Sequence, residues 1–232
     1  MGYGYYFDPT YILVLIGALV SMIASFNVKN TFSRYSKIRS GRNLTAEAAA
    51  ETILHDAGIY DVRIERIRGN LTDHYSPNEK VLRLSDSVYG QTSIAAIGVA
   101  AHECGHAIQH QVGYLALGLR SMSVPIANIG SKLSWPIILL GLFLGNMGLA
   151  KIGVFLFCFV VLFQLITLPV EFNASSRALG ILEKNNMLVG DELKGAKKVL
   201  GAAALTYVAA LFSSIMQLLR LILITQNGRR RR

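Results

Sequence analysis

The stretch WPIILLGLFLGNMGLAKIGVFLFCFVVLFQLITLPV, residues 135–170, decides the fold class of this chain. It contains two apolar runs, residues 135–149 and 152–170, which Lys151 separates. About 20 apolar residues are enough for a helix to cross the hydrocarbon core of a membrane, and the glycine, asparagine and proline at the flanks of the runs suit a reversal of the chain. The stretch therefore predicts a transmembrane helical hairpin.

Two further apolar runs lie outside this hairpin, one toward each end of the chain. Residues 11–26, extendable to 9–28, contain no charged residue. Asp8 precedes this run in place of a basic segment, and no small-residue cleavage site follows it, so we predict an uncleaved transmembrane anchor rather than a signal peptide. The four runs together predict a mostly α-helical integral membrane protein built as a helical bundle. The fourth run, residues 202–224, is interrupted by Ser213, Ser214, Gln217 and Arg220.

The composition excludes several other classes of protein. Apolar residues make up 52% of the 232 residues and charged residues only 16%, whereas an ordinary soluble domain carries about 25% charged residues. The same figures exclude intrinsic disorder. The net charge of +9 is concentrated in short basic segments beside the apolar runs, which is typical of membrane topology and not of nucleic-acid binding. We therefore expect the lipid bilayer, and no nucleic acid, as a partner, and two cysteines are too few for a disulfide framework.

Residues 29–133 form a more polar portion with mixed secondary structure. Residues 45–57 predict a helix that begins at a threonine cap and ends before Gly58. Residues 62–67 and 81–84 alternate apolar and charged side chains, which is typical of half-buried strands. We expect these two strands to form a small antiparallel sheet, so that this portion is α+β.

Residues 102–106 read His-Glu-Cys-Gly-His, the pattern H-E-x-x-H, inside a segment that otherwise predicts an apolar helix. One helical turn rises about 5.4 Å, so residues four apart lie on one face of a helix, and His102 and His106 can bind one Zn²⁺. Glu103 follows the first histidine and can take a proton from water that the zinc activates. Three ionisable groups in an apolar helix are costly without a metal or partners. The motif therefore predicts a zinc site with Glu103 as general base.

A catalytic zinc usually has three protein ligands, so a third one is needed. His110 would lie about 12 Å along the helix from His102, which is too far for one ion to bridge. Glu171 ends the third apolar run. A carboxylate at a membrane boundary is by default a functional-site hypothesis, and the alternative is an interfacial glutamate held near water. Two membrane crossings separate it from His106, and two crossings return the chain to the side that it left. We therefore predict Glu171, and not His110, as the third ligand.

Three segments resemble the YugP-type family of bacterial membrane zinc metallopeptidases: HYSPNEKVLRLSDSVY, HECGHAIQH and LPVEFNASSRAL. The resemblance covers nearly the whole chain. It implies that His102, His106 and Glu171 are the zinc ligands, that Glu103 is the general base and that the substrate is a polypeptide. It also implies a bacterial cell membrane as the location.

The chain is more distantly similar to the HtpX-like and CAAX-prenyl proteases, which also combine H-E-x-x-H with a distal glutamate. Those relatives usually carry E-x-x-A-D, and its aspartate supports a ligand histidine. Ser175 occupies that position here. Partners of this kind orient the ligands of a metal, so Asn173 and Ser175 are the candidates for orienting the two imidazoles.

Two further features leave alternatives open. Tyr207 could donate a hydrogen bond to an oxyanion, or it could be an ordinary packing residue of a membrane helix. The strand at residues 81–84 directly precedes the metal helix, so a substrate peptide could add to the sheet as an extra strand, or the sheet could be purely structural.

The positive-inside rule predicts the orientation of the chain. Asp8 precedes the first span without any basic residue nearby, whereas residues 29–42 carry Lys29, Lys37 and three arginines. Basic residues favour the cytoplasmic side, so we expect the N-terminus outside and the active site facing the cytoplasm. The single Lys151 of the predicted hairpin loop agrees with an outside turn. A full crossing by residues 202–224 would place the terminal arginines outside, so this segment either does not cross or breaks the rule.

These observations predict a membrane-embedded zinc endopeptidase. A catalytically silent zinc-binding membrane scaffold is the alternative, although a structural site needs no general base such as Glu103. A transporter would need ionisable residues within the second and third spans, which have none at midplane. The predicted segments are an anchor at 9–28, a catalytic portion at 29–133, the hairpin at 134–170, a helix carrying Glu171 at 171–201, an apolar helix at 202–224 and a basic tail at 225–232.

Overall fold

The computed structural model describes residues 8–227. Four helices in this range are long and apolar enough to cross a membrane, and a small sheet accompanies them. The predicted class, a mostly helical membrane fold with a small α+β portion, is confirmed. In chain order the elements are α1 (Tyr11–Tyr35), α2 (Ala46–Asp56), β1 (Arg63–Ile67), β2 (His74–Ser76), β3 (Val81–Ser85), α3 (Ile94–Gln111), α4 (Leu115–Phe143), α5 (Met147–Lys184) and α6 (Asp191–Asn227).

The chain divides into two compact units. The apolar unit consists of the described parts of Met1–Ala24, Arg120–Ile166 and Tyr207–Arg232. The mixed unit consists of Ser25–Leu119 and Thr167–Thr206, and it contains α2, α3 and the sheet. The H-E-x-x-H motif and Glu171 both belong to the mixed unit, so one unit carries all the predicted metal ligands.

Helices α2 and α3 form the core of the mixed unit. Each begins at a hydroxyl cap, because the side chains of Thr45 and Ser93 accept hydrogen bonds from the third backbone amide that follows. Small alanines on both helices are fully buried, which allows the two helices to pack closely. Cys104 belongs to this core and lies near the carbonyl oxygen of Ala50, at 3.6 Å. Burial raises the pKa of the Cys104 thiol.

The sheet differs from the predicted antiparallel pair. It has three strands in the order β1-β3-β2, and β1 pairs with β3 in parallel. The antiparallel partner of β3 is β2, which the sequence analysis missed because it has only three residues. The turn after Ser76 joins β2 to β3 as a hairpin. The segment between Ile67 and His74 joins β1 to β2 and crosses the end of β3, so that β1 and β2 lie on opposite edges of β3.

The reversal between α4 and α5 also lies elsewhere than predicted. It occupies residues 144–146, where Gly145 has a positive φ of 65° that favours glycine. The side chain of Asn146 accepts a hydrogen bond from the Leu149 amide at 3.1 Å and so caps α5. The prediction that Lys151 lies in the loop is therefore wrong, since Lys151 is in the second turn of α5.

The helices are longer than the apolar runs that predicted them. Helix α1 continues past residue 28 to Tyr35. Glu171 does not begin a new helix, because α5 runs through Pro169 and Glu171 to Lys184 and ends before Asn186, whose φ is 50°. Residues 202–224 are likewise the inner part of α6, which begins with acidic residues that complement the helix dipole. The end of an apolar run is therefore not the end of the helix.

Within the apolar unit, glycines bring α4 and α5 close together. A Cβ at Gly153 would lie 2.5 Å from the Ile138 side chain, and one at Gly141 would lie 2.4 Å from the Ala150 amide nitrogen. Small residues allow such close backbone approach between helices in a membrane. The predicted helical hairpin is therefore tightly packed.

Candidate metal centre

Helix α3 presents His102 and His106 on one face. The two residues are four apart, and their rings meet edge to face with centroids 4.7 Å apart. The side chains are 15% and 12% exposed respectively. The helix spacing therefore places both imidazoles at one partly covered position, as the motif predicts.

Helix α5 brings Glu171 to the same position. Its carboxylate is 2% exposed, and Oε2 lies 3.3 Å from Nε2 of His102 and 3.7 Å from Nε2 of His106. One potential ligand atom from each of the three residues lies within 4.8 Å of the other two. The structure thus brings together the three residues that the sequence analysis selected as ligands.

Gly105 makes this approach of α3 and α5 possible. A Cβ at this position would lie 2.6 Å from the carbonyl oxygen of Ala174. That distance is too short for any other residue unless the backbone of α5 moves. The glycine inside the H-E-x-x-H motif therefore allows α5 to lie directly against the ligand helix.

The donor set fits a zinc ion. Two imidazole nitrogens and one carboxylate oxygen are the ligands that catalytic zinc takes in proteins. Two ligands at 2.0–2.1 Å from a tetrahedral ion lie about 3.3 Å apart, which is close to the separations between Glu171 Oε2 and the two Nε2 atoms. His102, His106 and Glu171 could therefore hold one zinc ion with little rearrangement.

The other ring nitrogens of both histidines contact protein groups. Nδ1 of His102 lies 3.1 Å from Oγ of Ser175, one of the two predicted orienting residues. Nδ1 of His106 lies 3.0 Å from Oε1 of Gln109. Asn173, the other predicted residue, contacts Gln109 and not a histidine. Gln109 was missed, although it lies three residues after His106, the spacing at which helix side chains meet.

Glu103 lies on α3 beside the ligands and is 8% exposed. Asp73, which precedes β2, is its acidic neighbour. Burial raises the pKa of Asp73, hydrogen bonds from Ser85 oppose that rise, and the negative charge of Glu103 adds to it. Asp73 is therefore a third carboxylate near the site, after Glu103 and Glu171, and the sequence analysis did not single it out.

The electrostatics of His106 reflect the nearby carboxylates. Burial alone lowers the pKa of His106, but contact with Glu171 and the negative charges of Glu103 and Glu171 outweigh that effect and raise it. A site with two carboxylates beside two imidazoles favours positive charge, whether proton or metal ion.

His110 is not one of the three residues that could hold a metal ion. His110 is exposed, and its Nδ1 lies 3.0 Å from the hydroxyl of Tyr75 on β2. Tyr207 lies on α6. The proposed role of Tyr207 at an oxyanion stays a prediction.

Comparison with known proteins bears on this geometry. Residues 10–226 match the family described as "Putative neutral zinc metallopeptidase". The chain belongs to this family. The chain is also similar to a protein of Bacillus subtilis (strain 168) named "Putative membrane protease YugP", with 48% identity over 94% of this chain and 98% of that protein. The resemblance to YugP-type zinc metallopeptidases is therefore confirmed. No solved structure gives a significant match to the chain.

Proposed function

We propose that this chain is a membrane-embedded, zinc-dependent endopeptidase that hydrolyses peptide bonds in membrane or membrane-proximal polypeptides. The observation that carries the proposal is the convergence of His102, His106 and Glu171 on one point. The family's description, which names zinc and peptide hydrolysis, supports the same chemistry.

His102, His106 and Glu171 would hold the zinc, and three protein ligands suit a catalytic ion that keeps an open position. When bound, zinc supplies a Lewis acid that polarises a carbonyl and lowers the pKa of water to near 7. Glu103, beside His102 on α3, accepts a proton from the attacking water and delivers it to the leaving nitrogen as the C–N bond breaks. A proposed ligand, His102, and the proposed base, Glu103, are thus consecutive residues of α3.

The substrate class follows from where Glu171 lies in the chain. Helix α5 is one of the four candidate spans and carries Glu171 after its apolar run. A polypeptide that reaches Glu171 therefore lies next to the apolar part of α5, which would be inside the bilayer. We expect substrates that are membrane proteins or lie at the membrane surface.

The orientation follows from the basic residues that come after α1's apolar run. The positive-inside rule places Lys29 and the arginines up to residue 42 in the cytoplasm. The mixed unit would then face the cytoplasm of a bacterial cell, with its active site on that side of the cell membrane.

Replacement of the general base tests the proposal. Glu103→Gln should abolish cleavage of casein and of membrane-protein substrates by the purified full chain, because the amide cannot accept the proton. Zinc measured by elemental analysis should remain stoichiometric, because Glu103 is not a ligand. Glu51→Gln, at an exposed position on α2, is the matched control and should keep both zinc and activity.

A wild-type protein that binds zinc and cleaves no polypeptide would favour the silent scaffold instead. Loss of zinc in Glu103→Gln would contradict the role of Glu103 as a base.

A further inference from the structure

We propose that Gln109 is a positioning residue that fixes the tautomer of His106, and that Asn173 and Arg177 hold Gln109 in the required orientation. The inference rests on the proposed zinc site and goes beyond its ligands. Neutral imidazole carries its proton on either ring nitrogen, and only the unprotonated one can bind a metal. Which nitrogen of His106 is free therefore decides whether the ligand can act.

The Gln109 side chain is fully buried between α3 and α5. Its Oε1 lies 3.0 Å from Nδ1 of His106. Its Nε2 donates one hydrogen bond to the carbonyl oxygen of Val170 at 2.8 Å and another to Oδ1 of Asn173 at 3.0 Å. Both ends of the amide thus have defined partners.

The direction of this amide follows from the chemistry of its partners. A backbone carbonyl such as that of Val170 can only accept a hydrogen bond, so the nitrogen of Gln109 must face α5. The oxygen must then face His106, because the two ends of the amide are opposite. An oxygen acceptor at 3.0 Å requires a proton on Nδ1 of His106. Nε2 of His106 is therefore left with its lone pair, and it is the nitrogen that faces Glu171.

A second set of contacts gives the same direction independently. Nε of Arg177 lies 2.7 Å from Oδ1 of Asn173, and an arginine nitrogen can only donate. The Asn173 atom at that position must therefore be the oxygen. This oxygen also accepts from Gln109, so the nitrogen of Gln109 is confirmed on that side. The charge of Arg177 is thus linked to the proton of His106 through two amides.

His102 has no comparable constraint from its contact with Ser175. A serine hydroxyl can donate or accept, so it is compatible with either tautomer of the ring. The two ligand histidines are therefore held in different ways, one by an amide of fixed direction and one by a hydroxyl that adapts.

Zinc affinity measured by chelator competition on the purified full chain tests this role. Gln109→Leu should weaken zinc binding about 10–100-fold, the usual effect of removing a group that orients a ligand. Gln111→Leu, at an exposed position two residues further along α3, is the matched control and should leave affinity unchanged.

Gln109→Glu separates positioning from packing. Glutamate keeps an acceptor for Nδ1 of His106, but it cannot donate to Val170 and places a negative charge against that carbonyl. If Gln109 sets the tautomer, Gln109→Glu should bind zinc more tightly than Gln109→Leu. If Gln109 only packs α3 against α5, the buried charge should make Gln109→Glu the weaker binder, and the inference is overturned.

The tautomer itself can be read in the zinc-free wild type, which needs no variant. Two-bond ¹H–¹⁵N spectra of histidine-labelled protein, at a pH alkaline enough to keep the ring neutral, should show His106 protonated on Nδ1. Protonation on Nε2 would overturn the inference. A wild type that binds zinc with this tautomer and cleaves no peptide would overturn the proposed function and leave the role of Gln109 standing.

Discussion

Each of the two histidines of the H-E-x-x-H motif contacts a neighbouring side chain through one ring nitrogen and directs the other toward Glu171. Nδ1 of His102 contacts Ser175, and Nδ1 of His106 contacts Gln109, so that both Nε2 atoms face Glu171. Groups that hold ligands in this way raise metal affinity because less order has to be gained on binding. At the residue scale, the chemistry of the site depends on these contacts as much as on the ligands.

At this scale the sequence could select the three residues that the structure brings together, but not all of the side chains that contact them. The helix period and the reach of a zinc–nitrogen bond select His102 and His106 and exclude His110. Gln109 was missed, because a glutamine in an apolar helix has no signature that tells whether it is buried. Its role becomes visible only when α5 supplies Val170 and Asn173 as partners.

Asp73 allows a test of the electrostatics beside the site. The Ser85 amide and hydroxyl donate to its carboxylate at 2.7 and 2.8 Å. Ser85→Ala removes one of these bonds and should lower the free energy of unfolding at neutral pH by about 1–3 kcal/mol.

The loss of unfolding free energy in Ser85→Ala should be larger at neutral than at acidic pH. Burial raises the pKa of folded Asp73 above 3.8, so the cost of ionising it is absent in acid and develops as pH rises through the folded pKa. Ser85→Ala raises that pKa further, so its Tm should differ more from the wild type at neutral than at acidic pH. An equal difference at both would contradict the assignment.

At the scale of elements, the site depends on how closely α3 and α5 approach. Gly105 faces the Ala174 carbonyl, and Glu171 lies one turn before Ala174 on the same helix. A small displacement of α5 would move the carboxylate away from both imidazoles. The contact at Gly105 therefore affects the distance between Glu171 and the two imidazoles.

Gly105→Ala should disrupt this arrangement. The added Cβ would lie 2.6 Å from a backbone oxygen, and overpacking of this kind costs about 1–3 kcal/mol. We expect lower zinc content and a lower Tm. Gly180→Ala on α5, whose Cβ would meet nothing within 4 Å, is the control and should retain both. Full zinc occupancy in Gly105→Ala would show that the close approach does not matter.

The sequence predicted the elements better than their connections. The apolar runs predicted the four long helices, but α1 and α5 continue beyond their runs and α6 begins before its run. The alternating pattern predicted β1 and β3 and not β2, whose three residues are too few to show a period. Because β2 forms the antiparallel hairpin with β3, β1 pairs with the other edge of β3, and there it runs parallel to β3.

At the scale of the whole molecule, the proposed orientation concerns which side of the membrane each segment faces. Labelling of single engineered cysteines in intact cells tests this orientation. The exposed Cys158 is first replaced by serine, whereas Cys104 can stay because it is buried. Glu51→Cys, exposed on α2, should resist a membrane-impermeant thiol reagent. Leu144→Cys, in the turn between α4 and α5, should react readily. The reverse pattern would place the mixed unit outside the cell.

Zinc content of two variants tests the central claim most directly. Glu171→Ala removes a buried carboxylate that lies 3.3 Å from His102 Nε2, whereas His110→Ala removes an exposed ring whose contact is with Tyr75. We predict that Glu171→Ala loses most of its zinc and all peptidase activity, and that His110→Ala retains both. Stoichiometric zinc in Glu171→Ala, together with zinc loss in His110→Ala, would contradict the assigned ligands and with them the proposed active site.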